Sequence, residues 1–329
     1  MGLMRILVAG HAPEDSFADN VYHTLIEMGH DVRVLGHITQ AQYDAHWRFY
    51  ARAIAERASR RAFDLDGNRL VRIAKRFRPE MVLALTREFS HETLDRLSQL
   101  CSPIKVLWWG DCPANARRYA FVEPLWDLVF IKDMVAVQKT RLVRGDVYLL
   151  HEAMNPLWHR PLSEQQHGRI VVAGNWYGFR QALVMRLLKD QIEVDCYGSR
   201  PPAWALSGIV TRHMRRYIVR EEKSRIFGAG LACLNSFQYS EGDSLNCRAF
   251  EITGAGGLEL VEYRPAIETC FEIGREVLAF RSYEELLSMI EKAKRDESAM
   301  RKIRQEGARR ALAEHTYRHR LEVILKATK

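Results

Sequence analysis

RILVAG at residues 5–10 and RIVVAG at residues 169–174 are nearly the same six letters, once at the beginning of the chain and again at its middle. Each is a short apolar run of the kind that forms a strand buried on both faces. Each stops at a glycine and leads through a polar loop into a segment of helical apolar period. After Gly10 the loop HAPEDS brings Ser16 to a helix N-cap position, and Phe17, Val21, Leu25 and Met28 then mark one helical face. Gly29 closes that helix, and HDVRVLGH supplies a second strand. Strand, helix and strand in this order make a β-α-β unit, which implies a parallel sheet with right-handed crossovers.

The alternation continues outward from the first copy. Segments 44–59 and 66–77 read as helices, PEMVLAL (79–85) as a strand, 90–100 as a helix and IKVLWWG (104–110) as a strand. Residues 113–122 are short and irregular, WDLVFIK (126–132) is a strand, MVAVQKTRLVRG is a helix closed by Gly145, and DVYLLHE (146–152) is the last strand. About six strands with helices between them predict a doubly wound α/β domain. NPLWHRPLSEQQHG (155–168) is polar, carries two prolines and has no clear period, which suits an interdomain linker. RIVVAG then restarts the pattern. NWYGFR is the loop, QALVMRLLKD the helix and IEVDCYG a strand, followed by IVREEKSRIFGAG (helix), LACLNSF (strand), CRAFEITGAGG (helix) and LELVEY (strand). FEIGREVLAF and helices over 282–294 and 296–312 complete the second half. Two similar α/β domains that face one another turn the carboxyl ends of both sheets toward a shared ligand site.

Composition agrees. A chain of 329 residues is long for one hydrophobic core, and 47% hydrophobic with 27% charged residues is the balance of a globular protein. Nothing approaches the roughly 18 consecutive apolar residues of a membrane span. The start MGLMRILVAG, with Glu14 and Asp15 soon after it, lacks the plan of a signal peptide, so a cytoplasmic location is expected. The six cysteines show neither C-x-x-C pairing nor zinc spacing and read as buried thiols. The net charge of +8 points to an anionic partner. Arg52, Arg57, Arg60, Arg61, Arg69, Arg72, Lys75, Arg76 and Arg78 lie on helix-like segments and form either a solvated face or a patch for peripheral contact with an anionic membrane. With no recognised nucleic-acid motif present, nucleic acid is not an expected partner.

The informative chemistry sits in YSEGDSLNCRAFEITGAGGLELVEYRPAIETCFEIGREVLAFRSYEELLSMI (239–290). A strand ends, a polar loop carries Glu241 and Asp243, and a helix with Arg248 and Glu251 begins near Leu245. Asp243 and Glu251 are eight positions apart, one in the loop and one two turns along, and carboxylates suit sugar hydroxyls. Gly254, Gly256 and Gly257 allow either close ligand approach or a helix end. Arg180, near a helix start after Asn175, is placed to meet a phosphate with the help of helix amides. No G-x-G-x-x-G or Walker sequence occurs. In the first half, His11 and Asp111 follow predicted strands and could meet an acceptor or act as a base, or simply bond within their loops. Trp108, Trp109 and Trp176 suit either stacking on a ligand or core packing.

This stretch resembles the C-terminal domain of group 1 glycosyltransferases, in their CgeB-like (spore maturation protein) branch. The likeness rests on NCRAFEITGAGG, ELVEYRPAIETCFEIGREVLAFRSYEEL and EGARRALAEHTYRHRLEVIL, with GNWYGFR, LWWGDCP and LLHEAMNPLWHRP as further matching segments. The resemblance implies a GT-B fold, with two Rossmann-like doubly wound domains facing a central cleft. Residues 1–158 would be the acceptor-side domain and 159–329 the donor-binding domain, with the last helix (about 316–329) packing back on the first. It implies a nucleotide-sugar donor and a glycan, lipid-linked or protein acceptor. Glu251 matches the second glutamate of an E-x7-E motif and would bind the donor ribose, with Arg248, Asn175 and the three glycines as the other donor-binding residues; Arg180, and after it Arg248, would face the leaving diphosphate. Asp243 stands at the first position and departs from glutamate. The frame Glu251 to Glu259 has the same spacing but puts Glu259 inside a strand. His315, in EHTY, would steer the terminal helix. Catalysis would fall to Asp243, Arg180, His11 and Asp111. No cofactor or metal is expected, because cationic side chains and helix amides stabilise the leaving diphosphate in such a site. Retention of configuration is the expected outcome. A sugar-nucleotide epimerase of the same fold, or an idle sugar-nucleotide- or glycan-binding module of a surface-polysaccharide pathway, are the alternatives.

Overall fold

The computed structural model describes residues 2–35, 54–55, 58–117, 119–162, 167–199 and 208–329. Most of the helix expected over 44–59, with Arg52 and Arg57, lies outside the described residues. So do the side chains of Arg60 and Arg61, and residues 163–166 of the expected linker. The chain divides into two compact units. One runs to His151 and includes Arg320–Lys329, and the other is Glu152–His319.

The first unit carries six parallel strands: β1 (Arg5–Ala9), β2 (Asp31–Val34), β3 (Met81–Leu85), β4 (Ile104–Trp109), β5 (Leu128–Ile131) and β6 (Val147–Leu149). They lie in the order β2-β1-β3-β4-β5-β6. The continuous apolar runs of β1 and β3 are buried on both faces, as a sheet covered by helices on each side requires. Helix α1 (Phe17–Glu27) starts where Ser16 Oγ accepts the Asp19 amide at 3.2 Å, and it ends before Gly29, whose φ is +87°. Helices α2 (Arg60–Phe77), α3 (His91–Cys101) and α4 (Met134–Thr140) follow. Leu70, Ala74, Leu94, Leu97 and Val137 from these helices pack with Val82, Leu107 and Val129 of the sheet. Helix α4 is shorter than its apolar pattern suggests. Thr140 Oγ1 bonds back to Ala136 O, and Arg144 turns inward to the carbonyls of Glu123 and Trp126, which curls the chain away from helical geometry.

The second unit has five parallel strands: β7 (Ile170–Ala173), β8 (Val194–Tyr197), β9 (Ala232–Asn235), β10 (Glu259–Glu262) and β11 (Leu278–Phe280). Their order is β11-β10-β9-β7-β8. Counted from its own first strand, this repeats the order of the first unit. The second strand lies on one side of the first strand and the third on the other. The crossovers therefore reverse between β1 and β3, and again between β7 and β9, and the crevice at such a reversal is where doubly wound sheets take ligands. The helices are α5 (Gly178–Lys189), α6 (Gly208–His213), α7 (Arg220–Ala229), α8 (Cys247–Gly254), α9 (Pro265–Cys270), α10 (Tyr283–Arg295) and α11 (Glu297–Glu314). A final helix, α12 (Tyr317–Ala327), runs from the end of this unit into the residues grouped with the first.

Residues 155–162 do not behave as a solvated linker. Asn155 and His159 are fully buried, and Trp158 is nearly so. Met154 joins the core beside Phe250 and bridges to Thr316, and Ser224 Oγ donates to Trp158 O at 2.8 Å. Its buried polar residues bond within the segment, the Asn155 amide donating to His159 Nδ1 and the Leu157 amide to Asn155 Oδ1, both at 3.1 Å.

Candidate functional site

The reversal point of the second unit is built from two strand ends. Chain direction changes after β7 at Gly174, whose φ of +119° is open to glycine at little cost. A Cβ there would collide with Nη1 of Arg248 and lie 3.2 Å from Nη1 of Arg180. Two guanidinium groups thus gather over one glycine.

Their surroundings differ. Arg180 has no exposed surface. Its Nη1 donates to Asn175 O at 2.6 Å, beyond β7, and its Nη2 to Ser236 O at 2.6 Å, beyond β9. Nε reaches Ser236 Oγ at 3.2 Å, and Nη2 also reaches Tyr177 Oη at 2.8 Å. Arg180 therefore clamps the two loops flanking the reversal. Burial, and then Arg248 beside it, push its pKa down to about 9. Arg248 is the second helical residue of α8 and only half-buried. Its Nε is buried without a hydrogen-bond partner among the described residues. Burial works against its charge, but neighbouring groups, Glu251 and Glu241 among them, hold its pKa above the usual value. Asn246 caps α8 through the Ala249 amide, leaving the first amides of the helix to face an anion.

Glu251 lies one turn beyond Arg248. It is buried, with Oε1 3.0 Å from Lys223 Nζ of α7 and 3.8 Å from His159 Nε2. Asp243 is held differently. Its Oδ1 accepts the Ala266 amide at 2.7 Å, at the start of α9, while Arg264 Nη1 ties the Gly242 and Ser244 carbonyls. The loop bearing Asp243 is thus strapped to the β10–α9 junction. Asn175 is exposed and offers its carbonyl to Arg180. The three glycines meet protein. A Cβ on Gly254 would press on Met154, on Gly256 it would meet Pro161 at 3.3 Å, and on Gly257 it would lie 3.0 Å from Phe227 O. Gly256, at φ +74°, is the left-handed residue that ends α8, so the helix-end reading is what the geometry displays.

In the first unit His11 is exposed just after β1, with its carbonyl taking Ser16 Oγ. Asp111, after β4, accepts from the Cys112 amide at 2.7 Å and Asn115 Nδ2 at 2.8 Å, which folds its own loop. The tryptophans are core residues whose indole N–H groups go to carbonyls: Trp108 to Leu150, Trp109 to Cys112 and Trp176 to Tyr197. His315 is packed between Phe250 and Phe271 and contacts Cys270 O at 2.8 Å, a structural position. The aspartate triplet Asp64–Leu65–Asp66 has a spacing that can hold a divalent ion. It lies within α2, and Asp66 is paired with Arg87 at 2.9 Å.

Sequence reasoning missed Lys223, Ser236, Tyr177 and the Asn235–Asn246 pair. Only Asn246 carried a local signal, an amide side chain just ahead of a helical run.

A family model described as "Glycosyl transferase-like" matches residues 156–326. Comparison with curated protein sequences returned no match. Among solved structures, the chain is similar to Anabaena HepE in complex with UDP and glucose, at 11% identity and TM-score 0.66, over 98% of this chain and 100% of that one. It is similar to sucrose-phosphate synthase from Thermosynechococcus elongatus, at 10% identity and TM-score 0.65, over 99% and 100%. It is also similar to a T4 phage BGT mutant in complex with UDP-glucose, at 10% identity and TM-score 0.58, over 98% and 99%. Likeness at this identity speaks for the fold, and it bears out the expectation of two Rossmann-like α/β domains of the GT-B class.

Proposed function

Because the chain belongs to the glycosyl transferase-like family, we propose that this glycosyltransferase binds a uridine diphosphate sugar at the start of α8 and passes its sugar to a glycan, lipid-linked or protein acceptor. The observation that carries the reading is Arg248. It is a cation whose buried Nε has no hydrogen-bond partner among the described residues, set over Gly174 at a helix N-terminus and beside a second guanidinium. Two adjacent cations repel, and a diphosphate between them and the helix amides relieves that repulsion. As the bond from the sugar's C1 to the phosphate oxygen breaks, negative charge grows on the leaving diphosphate. Arg248 and the amides of Cys247 and Arg248 are placed to stabilise it. Arg180 acts behind them by fixing both loops.

Position along α8 then orders the donor. The ribose hydroxyls meet the Glu251 carboxylate, and the sugar end extends past Asn246 toward the loop of Asp243. HepE and the phage enzyme, crystallised with UDP or UDP-glucose, support the choice of uridine donor. We assign His11 and Asp111 to the acceptor side, transfer with retention, a diphosphate held without metal, and membership of the CgeB-like branch from the NCRAFEITGAGG match. Arg69, Arg72, Lys75, Arg76 and Arg78 are all exposed, which supports peripheral contact with anionic lipid. No helix among the described residues is long and apolar enough to cross a membrane.

The test is a thermal-shift comparison of UDP, UDP-glucose, GDP and CMP, with and without EDTA. A ligand at 100 times its Kd stabilises by about 2.7 kcal/mol. The expected result is a rise in Tm with UDP and UDP-glucose only, unchanged by EDTA and lost in Arg248→Ala. No rise with any nucleotide would overturn the reading.

A further inference from the structure

Glu259 shares the spacing of the candidate carboxylate pair but opens β10 and is 1% exposed. Its side chain is the inner end of a buried polar chain. Oε1 accepts from Asn235 Nδ2 at 2.8 Å, at the last residue of β9. The same Nδ2 donates to Asn246 Oδ1 at 3.1 Å, and Asn246 Nδ2 returns a bond to Asn235 Oδ1 at 3.0 Å. Asn246 is the N-cap of α8, and its Oδ1 also receives the Ala249 amide at 3.3 Å. The residue after Asn235 is Ser236, the anchor of Arg180. One carboxyl, through two amides, thus reaches the helix start that carries Arg248.

The amide hydrogens of Asn235 are both committed, one to Asn246 and one to Glu259, so its orientation depends on both. Glu259 Oε2 is buried and has no hydrogen-bond partner among the described residues. A carboxylate with a single hydrogen bond in a buried position is costly, whereas the neutral acid keeps the Asn235 bond at far lower cost. Arg248 on α8 draws the proton off. Cys233, its register partner on β9, is a thiol pushed up to about 12, and Arg304 of α11 acts on that thiol. Burial outweighs the Asn235 bond and Arg248, and it raises Glu259 to about 8.

We propose that Glu259 is a positioning residue that works as the neutral acid. Its carboxyl fixes the Asn235–Asn246 pair and the pair fixes the start of α8 and Arg248, whereas loss of the Glu259 proton sets a buried carboxylate in competition with the donor's phosphates for Arg248. This rests on the donor reading above.

The test is UDP affinity by calorimetry between pH 6 and 8.5, below the range in which Arg180, at about 9, loses its own proton. If only the protonated form is competent, apparent Kd rises up to about tenfold per pH unit above the folded pKa. Glu259→Gln, a neutral group of the same shape, should bind as the wild type does at pH 7 and lose that alkaline decline. Glu259→Leu should bind UDP several-fold more weakly at every pH. A shared alkaline decline in wild type and Glu259→Gln overturns the proposal, as does unchanged binding by Glu259→Leu. If no form binds UDP at pH 7, the donor reading has failed. Carboxyl and side-chain amide NMR of the free protein then decides: Asn246 signals that follow the Glu259 titration support the coupling, and Asn246 signals that stay fixed overturn it. The same spectra serve if either variant fails to fold.

Discussion

Lys223 Nζ lies 3.0 Å from Glu251 Oε1, with the two side chains 14% and 3% exposed. The pair joins α7 to α8 at the point assigned to the donor ribose. His159 completes it. Its Nδ1 accepts the Asn155 amide at 3.1 Å, so the ring proton sits on Nε2, the nitrogen facing Glu251. A carboxylate so placed is held in one direction, which hydroxyl recognition needs.

Removing one partner of a buried pair leaves the other without compensation, at a cost of about 3–5 kcal/mol. Lys223→Met should therefore lower unfolding stability by about 3 kcal/mol and weaken UDP binding as Glu251 loses its fixed orientation. Lys223→Arg should recover part of both. Urea unfolding and calorimetry on the two variants and on Lys223→Met/Glu251→Gln measure the coupling. Strict additivity in the double variant would show that the pair does not act as a unit.

The two arginines should separate. Arg180→Lys keeps charge but cannot serve four acceptors, so it should destabilise by about 2–4 kcal/mol as the carbonyls of Asn175 and Ser236 lose donors. Arg248→Ala, which breaks no side-chain hydrogen bond among the described residues, should change Tm little while reducing UDP affinity at least tenfold. Equal losses of Tm in both would contradict this division.

Gly174→Ala forces a side chain into the left-handed region and into Arg248. The backbone alone should cost about 1–2 kcal/mol. Displacement of Arg248 should make the loss of UDP binding larger than the loss of stability predicts. A variant that binds UDP normally would remove Gly174 from the site.

How much of this was legible follows from the range of the forces involved. The repeated RI-V-AG strands and their β-α-β continuation are local patterns, and both sheets formed from them. Arg248 and Glu251 share one helix, so their relation was readable too. The failures are contacts between segments far apart in sequence. Lys223 meets Glu251 from 28 positions away, and Asn155 and His159 look like linker residues until the packing against α8 is seen. In the sequence Arg180 reads as a phosphate ligand. Nothing in GNWYGFR announces that Ser236, 56 positions on, takes its donors. The glycines were ambiguous by nature, since a ligand approach and a left-handed helix end ask for the same residue.

Asp243 is a case where fold and chemistry can be told apart. Asp243→Asn keeps an Oδ1 for the Ala266 amide, so stability should hold to within about 0.5 kcal/mol, whereas Asp243→Ala should lose about 1 kcal/mol. If its carboxylate also serves the transferred sugar, both variants should lower the turnover of UDP-glucose at least tenfold. Full turnover in Asp243→Asn would leave Asp243 as a loop anchor alone.

Glu259 also leaves a mark on stability, independent of any ligand. Its unfolded pKa is near 4.5 and its folded value about 8, so the native state binds more protons than the unfolded state between those limits. The derivative of unfolding free energy with pH is then negative, and the contribution of this residue falls as pH rises from about 4.5 to about 8, then levels off. The group is buried, so solvent screening does not reduce the effect. Glu259→Gln has no such proton to lose. The difference in unfolding free energy between wild type and Glu259→Gln, followed by urea denaturation, should therefore swing in favour of the variant across this window, by about 1.4 kcal/mol per pH unit at its steepest. Other titrating groups cancel in the difference. A difference independent of pH between 5 and 8 would mean that Glu259 is ionised in the native state throughout, and that Asn235 holds a carboxylate, not an acid.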